Sequence, residues 1–316
     1  MIGTGTGKAA AFRVGNAPCS WGTLEFEQSR GEQVPFHRML DELVETGYTG
    51  TELGDWGYMP TDPGRLKTEL ERRGVVMLGA FVPVPLKFAA MHEDAIKNAL
   101  KVAHLLEAVR SDPPPFLVLA DANGTVGDRT QNAGRVTPEL GLSAAEWSIF
   151  AEGANKVGRA VLVETGLRTV FHHHCAGYVE MPEEIAQFLE LTDPSAVGLV
   201  FDTGHFAYGS GDCDVIQGME RFKDRIQYVH LKDCHPEIAR QARTRKWSYF
   251  EALRHGVFCE LGKGGVDFAA VLRWLKLRSY AGYVLVEQDL LPGMGTPKES
   301  ARRNREYLRS IETHDV

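Results

Sequence analysis

Short apolar runs alternate with longer amphipathic stretches from one end of the chain to the other. Eight of the short runs are rich in β-branched, aromatic and Leu residues: FRVGNAPC (12–19), YTGTELG (48–54), VVMLGAFV (75–82), FLVLAD (116–121), TVFHHH (169–174), VGLVFDT (197–203), IQYVHLK (226–232) and GYVLVEQ (282–288). Strands buried on both faces read this way, as near-continuous apolar segments. Between them, apolar positions recur at helical spacing. FHRMLDELVETG ends in a glycine stop, and PGRLKTELERRG opens on Pro and closes on Gly, the usual punctuation of helix ends. HEDAIKNALKVAHLLEAV, SAAEWSIFAEGANKVGRAVLVETG, MPEEIAQFLELT, CDVIQGMERFKD, DFAAVLRWLKLRS and KESARRNREYLRSI complete the set.

Strict alternation of strand and helix implies a parallel sheet. Eight such units predict closure into a single-domain (β/α)8 TIM barrel spanning residues 12–316, with a doubly wound open sheet as the alternative. Residues 1–11 read as a flexible leader. Their GTGTGK is not a phosphate loop, because that motif needs Gly where Ile2 stands and Ser or Thr where Ala9 stands.

In such a barrel, chemistry belongs at the C-terminal ends of the strands. The apolar runs end on Glu52, on His172 and His174, on Asp202 with His205 close behind, on His230, Lys232 and Asp233, and on Glu287 and Asp289. The longest non-periodic stretches, 121–142 and 233–266, also follow strands and so fall on that face. Side chains alternate along a strand, which puts His172 and His174 on one face and leaves His173 a bystander on the other. Taken singly, each residue has a plain reading: Asp202 before Thr-Gly suits a helix cap, a lone His a hydrogen bond, Glu287 an ion pair. Converging together, they form a nitrogen and oxygen donor set for one divalent metal, Mn²⁺, Co²⁺, Fe²⁺ or Zn²⁺, with more imidazole than Ca²⁺ or Mg²⁺ sites carry. Glu164 reads as surface. Glu180 suits either the site or the start of the next helix, where negative charge is favoured.

Charge and composition narrow the partners. With 35 Lys and Arg against 42 Asp and Glu, the net charge is -7, which argues against a general nucleic-acid or anionic-membrane binder. The basic run RQARTRKW (240–247) reads as a solvated loop. No apolar stretch is long enough for a membrane span, and the N-terminus lacks a secretory core. Five scattered cysteines without a CxxC pair read as reduced thiols of a cytoplasmic protein.

Several motifs together resemble one family. APCSWG, FVPVPL, FHHHCAGYVEMPEEI, LTDPSAVGLVFDTGH, RIQYVHLKD, GVFCELGKGGVDF and YVLVEQD occur in order between about residues 12 and 310. They are similar to the sugar-phosphate isomerase/epimerase-like (xylose-isomerase-like) barrels, and nearest to the inosose dehydratases. The resemblance implies a TIM barrel with one divalent metal, Mn²⁺ or Co²⁺ first among the candidates, held by His172, Asp202, His230 and Glu287. Relatives usually carry Glu at the strand-five position, and related dehydratases read E-x-H there. This chain reads H-x-H, so His174 and Glu180 stand as alternatives for that ligand, and a two-base epimerisation loses one of its carboxylates.

The implied reaction is loss of water from a keto-polyol such as 2-keto-myo-inositol (inosose) through an enediolate, with the metal as Lewis acid. His174 is the expected general acid/base. His205 or Lys232 would orient hydroxyls or protonate the leaving group. Glu52 and Trp21 are expected to line the mouth, with core packing an equal alternative for Trp21. A ketose isomerase or epimerase and a keto-glycoside eliminase are the alternatives on the same metal site. A metal-dependent nuclease fits the acidic balance poorly, and a non-catalytic sugar-binding module has no use for spare histidines around a metal. The resemblance also admits a homo-oligomer paired through outer helices.

Overall fold

The eight apolar runs form eight parallel strands that close on themselves. The structure, a computed structural model, describes residues 12–22, 34–211, 214–291 and 295–312; the proposed leader, 1–11, lies outside them. The strands are β1 (Arg13–Asn16), β2 (Gly50–Glu52), β3 (Val76–Val84), β4 (Phe116–Asp121), β5 (Thr169–His172), β6 (Val197–Asp202), β7 (Ile226–Leu231) and β8 (Tyr283–Val286). Each pairs with its chain neighbours, and β1 pairs with β8 to complete the cylinder. The fold is a single-domain (β/α)8 TIM barrel.

Two apolar layers hold it together. Inside the cylinder, Ala17, Leu78, Val118, Val170, Val200, Tyr228, Tyr283 and Leu285 form a plug, as inward-facing residues do in barrels of this size. Outside, the opposite strand faces pack against the helices, where Leu40, Leu106, Phe150, Phe171, Phe188, Phe201 and Leu272 belong to one continuous core.

The helices are α1 (Phe36–Glu45), α2 (Pro63–Glu71), α3 (His92–Ala108), α4 (Gly127–Gln131), α5 (Ala144–Thr165), α6 (Pro182–Leu191), α7 (Thr203–Gly209), α8 (Val215–Phe222), α9 (Pro236–Arg245), α10 (Tyr249–Arg254), α11 (Phe268–Leu277) and α12 (Pro297–Glu312). The long amphipathic ones lie where the periodicity predicts, and α5 shows why. Ser143 and Glu146 form a reciprocal capping box at its start, and Gly166 ends it in the left-handed region at φ 69°. None of the helices among the described residues is long and apolar enough to cross a membrane.

Four short helices depart from the expectation, and all lie on the catalytic face. The stretch 121–142 holds α4, and 233–266 holds α9 and α10 beside a two-stranded antiparallel ribbon of Asp233–Cys234 and Phe258–Cys259. The basic run expected to be a solvated loop is largely the second half of α9. Pro236 opens that helix, Glu237 ties Arg240 and Gln241 along its outer side, and Ala239 and Ala242 bury the other. Two small residues in a charged run carry too little periodicity to announce a helix. The fourth, α7, starts directly from the end of β6.

Candidate metal centre

Strand ends β5 to β8 bring four side chains to one point at the barrel mouth. One ligand atom each from His172, Asp202, His230 and Glu287 lies within 4.8 Å of the other three, and all four residues are buried. His172 Nε2 stands 3.5 Å from Asp202 Oδ2, and His230 Nδ1 stands 3.9 Å from the same oxygen and 3.1 Å from Glu287 Oε1. Strand register explains the convergence. Asp202 pairs with His230 across β6 and β7, and His172 pairs with Val200, two residues earlier on β6, so alternate side chains of adjacent strands share the interior face.

Each carboxylate turns one oxygen away from the cluster and one toward it. Asp202 Oδ1 accepts from the His205 N–H at 2.8 Å and caps α7; its Oδ2 has no hydrogen-bond partner. Lys232 Nζ lies 3.1 Å from Glu287 Oε2, which leaves Oε1 beside His230. Both ring nitrogens of His172 and Nδ1 of His230 are likewise buried without hydrogen-bond geometry to any group. Orphaned buried polar atoms are rare because each forfeits its solvation. Three residues with such atoms, converging with Glu287 Oε1 on one point, fit a cation. The two carboxylates balance the charge of a divalent ion, and the mixed imidazole and carboxylate donors suit Mn²⁺, Co²⁺, Fe²⁺ or Zn²⁺.

The electrostatics agree. Burial works against charge on Asp202, His230 and Glu287, yet neighbouring charges prevail. Lys232 and His172 hold Asp202 below the usual carboxylate range despite its burial. His230 and Lys232 hold Glu287 well below it. On His230, burial is outweighed by Glu287 and Glu52, which raise its pKa to about 10. A proton on that ring thus balances the carboxylates of the protein alone, and a bound metal would take its place.

The histidine triplet divides three ways. His172 is the last residue of β5 and joins the cluster. His173 is not a bystander: it is fully buried, and its Nε2 accepts the backbone N–H of Asp202 at 3.1 Å. Burial and the adjacent His172 lower its pKa to about 3, which keeps the ring neutral and able to accept. His174 reaches the mouth by a different route from the expected strand alternation, because β5 stops at His172. The loop returns on itself through a His174 N–H bond to the Val179 carbonyl, and the ring comes to rest 3.8 Å from the His205 ring, centroid to centroid. Its Nδ1 faces the Cys175 carbonyl and so must carry the hydrogen, which makes Nε2 the basic atom. Burial and the nearby positive groups keep His174 and His205 uncharged, well below the ordinary histidine range.

Lys232 is fully buried, and its three N–H bonds are matched by Glu287, Asp289 and His205 Nε2, each at 3.1–3.2 Å. Asp289 and Glu287 hold it charged in spite of burial. Asp289 had no assigned role in the sequence, although its place at the end of an apolar run was a signal. Glu52 lies behind the cluster, its Oε1 3.1 Å from His230 Nε2. Trp21 packs in the outer core and donates from Nε1 to Glu42 of α1, which is the packing alternative. Glu180 is neither ligand nor helix cap. It accepts the N–H groups of Gly134 and Ala176, and Glu184 takes the capping position, accepting from the backbones of Glu180 and Met181. Glu164 is exposed. Among the described residues Cys175, Cys234 and Cys259 are free thiols; Cys213 lies outside them.

The chain is similar to known proteins along most of its length. The chain is 31% identical to the inosose dehydratase of Geobacillus thermodenitrificans over 302 residues, 96% of this chain and 98% of that one. It is 30% identical to the inosose dehydratase of Clostridium perfringens, over 94% and 96% of the two chains. Its fold superposes on the crystal structure of 3-keto-D-glucoside 4-epimerase from E. coli with a TM-score of 0.64 at 14% identity, covering 95% and 99%. The family model of the xylose isomerase-like TIM barrel matches residues 40–311. With the closed barrel and the four-donor cluster at its mouth, the chain belongs to the xylose isomerase-like TIM barrel family.

Proposed function

We propose that this protein is a cytoplasmic, divalent-metal-dependent carbon–oxygen lyase that removes water from a keto-polyol, with 2-keto-myo-inositol (inosose) as the substrate. The four-donor cluster carries the reading, and the full-length similarity to inosose dehydratases supports it. His172, Asp202, His230 and Glu287 would hold the ion. When bound, it supplies Lewis-acid stabilisation for charge developing on the substrate carbonyl oxygen, a contribution of several kcal/mol.

The remaining work falls to the chain's own groups. A proton α to a ketone is weakly acidic, so its removal needs a base that is neutral at working pH and correctly aimed. Two observations support His174 in that role: burial keeps its ring unprotonated, and the Cys175 carbonyl fixes the hydrogen on Nδ1, so Nε2 would take the proton. Lys232 stays charged inside the mouth. With His205 beside it, Lys232 is the group to orient the substrate's hydroxyls and protonate the departing one. The buried walls exclude bulk water, which strengthens each of these interactions.

The test is incubation of purified protein with 2-keto-myo-inositol after stripping and reloading with Mn²⁺ or Co²⁺. The reading requires a product lighter by one water, with new ultraviolet absorption, formed only by the loaded protein. A product of unchanged mass would make the protein an isomerase or epimerase. Full turnover by stripped protein would end the metal reading.

A further inference from the structure

The carboxylate of Glu52 comes from the end of β2, outside the four strands that carry the donor cluster, and 178 residues before the histidine it touches. Its Oε1 sits 3.1 Å from Nε2 of His230, the ring nitrogen turned away from Asp202 and Glu287. Glu52 is buried, so this contact is shielded from water. A carboxylate oxygen accepts, which makes Nε2 the donor, so that Nδ1 is the nitrogen whose proton a metal would displace and whose lone pair would face the cluster. Tyr228 packs edge-on against the same ring at 4.8 Å between centroids, so the imidazole is held both in plane and in tautomer.

The backbone is built around this carboxylate. The β2–β3 pairing shifts register between Thr51 and Glu52, which face Met77 and Gly79 with Leu78 left over. Such bulges recur beside active sites, where they re-aim a side chain. Gly79 sits opposite Glu52. A Cβ added there would meet the Phe116 carbonyl oxygen at 2.9 Å, so the close approach of β4 at the bulge requires glycine opposite Glu52.

We propose that Glu52 is a positioning residue for the metal centre: it fixes the orientation and tautomer of His230 so that Nδ1 is presented to a divalent cation. The assignment rests on the metal-centre reading above. It places Glu52 behind a ligand and not against substrate, and it makes the β2 strand end part of an apparatus otherwise drawn from β5 to β8. Carboxylates that hold metal-ligating histidines in this way typically govern metal affinity by roughly 10–100-fold.

Calorimetric titration of the stripped protein with Co²⁺, alongside the visible absorption of the Co²⁺-loaded form, tests this directly. Glu52→Ala should weaken Co²⁺ binding by roughly 10–100-fold and alter the Co²⁺ spectrum. Glu52→Gln, whose amide oxygen can accept the same bond, should recover most of the affinity; it also serves as the informative variant if Glu52→Ala does not fold. Unchanged Co²⁺ affinity in both variants would overturn the assignment, as would a raised KM with unaltered affinity, which would put Glu52 on the substrate. Failure of the unmutated protein to bind Co²⁺ would sink the metal reading, and this assignment with it, a result distinguishable from failure of Glu52 alone.

Discussion

Two buried acidic clusters sit side by side on the catalytic face, and they are wired in opposite ways. Around the loops after β4 and β5, every carboxylate is satisfied by the protein. Glu184 takes both nitrogens of the Arg129 fork at 2.7 Å and two backbone N–H groups as well. Glu180 accepts from Gly134 and Ala176, and Asp121 from Tyr178. At the ends of β5 to β8, Asp202 is only half engaged, Glu287 meets only Lys232 and the His230 ring, and the imidazoles of His172 and His230 turn orphaned nitrogens toward the same point. The first cluster is architecture that ties two loops to the barrel. The second has coordination capacity that no protein group uses. Burial and negative charge are common to both, so neither property identifies a site by itself; the distribution of unmet hydrogen-bonding capacity does.

The sharpest way to break the contrast is to remove a carboxylate from the second cluster. Asp202→Ala and Glu287→Ala should each abolish metal retention and turnover together, read by metal analysis of the purified variant and by dehydration of 2-keto-myo-inositol; metal retained at full stoichiometry would contradict the ligand set. Removal of Arg129 from the first cluster should do the reverse. Arg129→Ala empties the fully buried place of the guanidinium and leaves Glu184 with only its two backbone donors; it should lower stability in urea unfolding by about 3 kcal/mol, while the refolded protein binds Co²⁺ as before. His174→Ala separates holding from doing. It should keep the metal and lower kcat by at least about a hundredfold, and loss of metal instead would move His174 into the ligand set.

Glu180 supplies the smallest and most specific effect. Burial raises its pKa to about 7 from the ordinary 4.5. The folded state therefore favours the protonated acid, and stability present below pH 4.5 declines as pH rises through 7. Between pH 5 and pH 7 the loss from this group should be about 2 kcal/mol. Glu180→Gln should flatten that decline in unfolding midpoints measured across the range, and an identical slope in the variant would show that another group is responsible.

These experiments address what the chain alone left open. The strands, the long helices and the list of polar residues at strand ends were legible, because apolar runs and helical periodicity are local properties of neighbouring residues. The metal ligands were reachable too, though only through the barrel rule and the motif resemblance. His173 was misread as idle because its partner, the Asp202 backbone, lies on another strand. Trp21 could be placed only when Glu42 was seen beneath it. The short helix α7 was hidden because its cap, Asp202, is also the residue that ends β6.

What the sequence by itself determined, then, is an eightfold alternation whose strands end in imidazole, carboxylate and ammonium groups. Only closure of the barrel decided which of those groups meet. Glu52 finds His230, and Lys232 finds Glu287 and Asp289, across separations that no local pattern encodes. Whether a buried polar atom is satisfied depends on every group around it in space, and that is a property of the folded neighbourhood rather than of the residue.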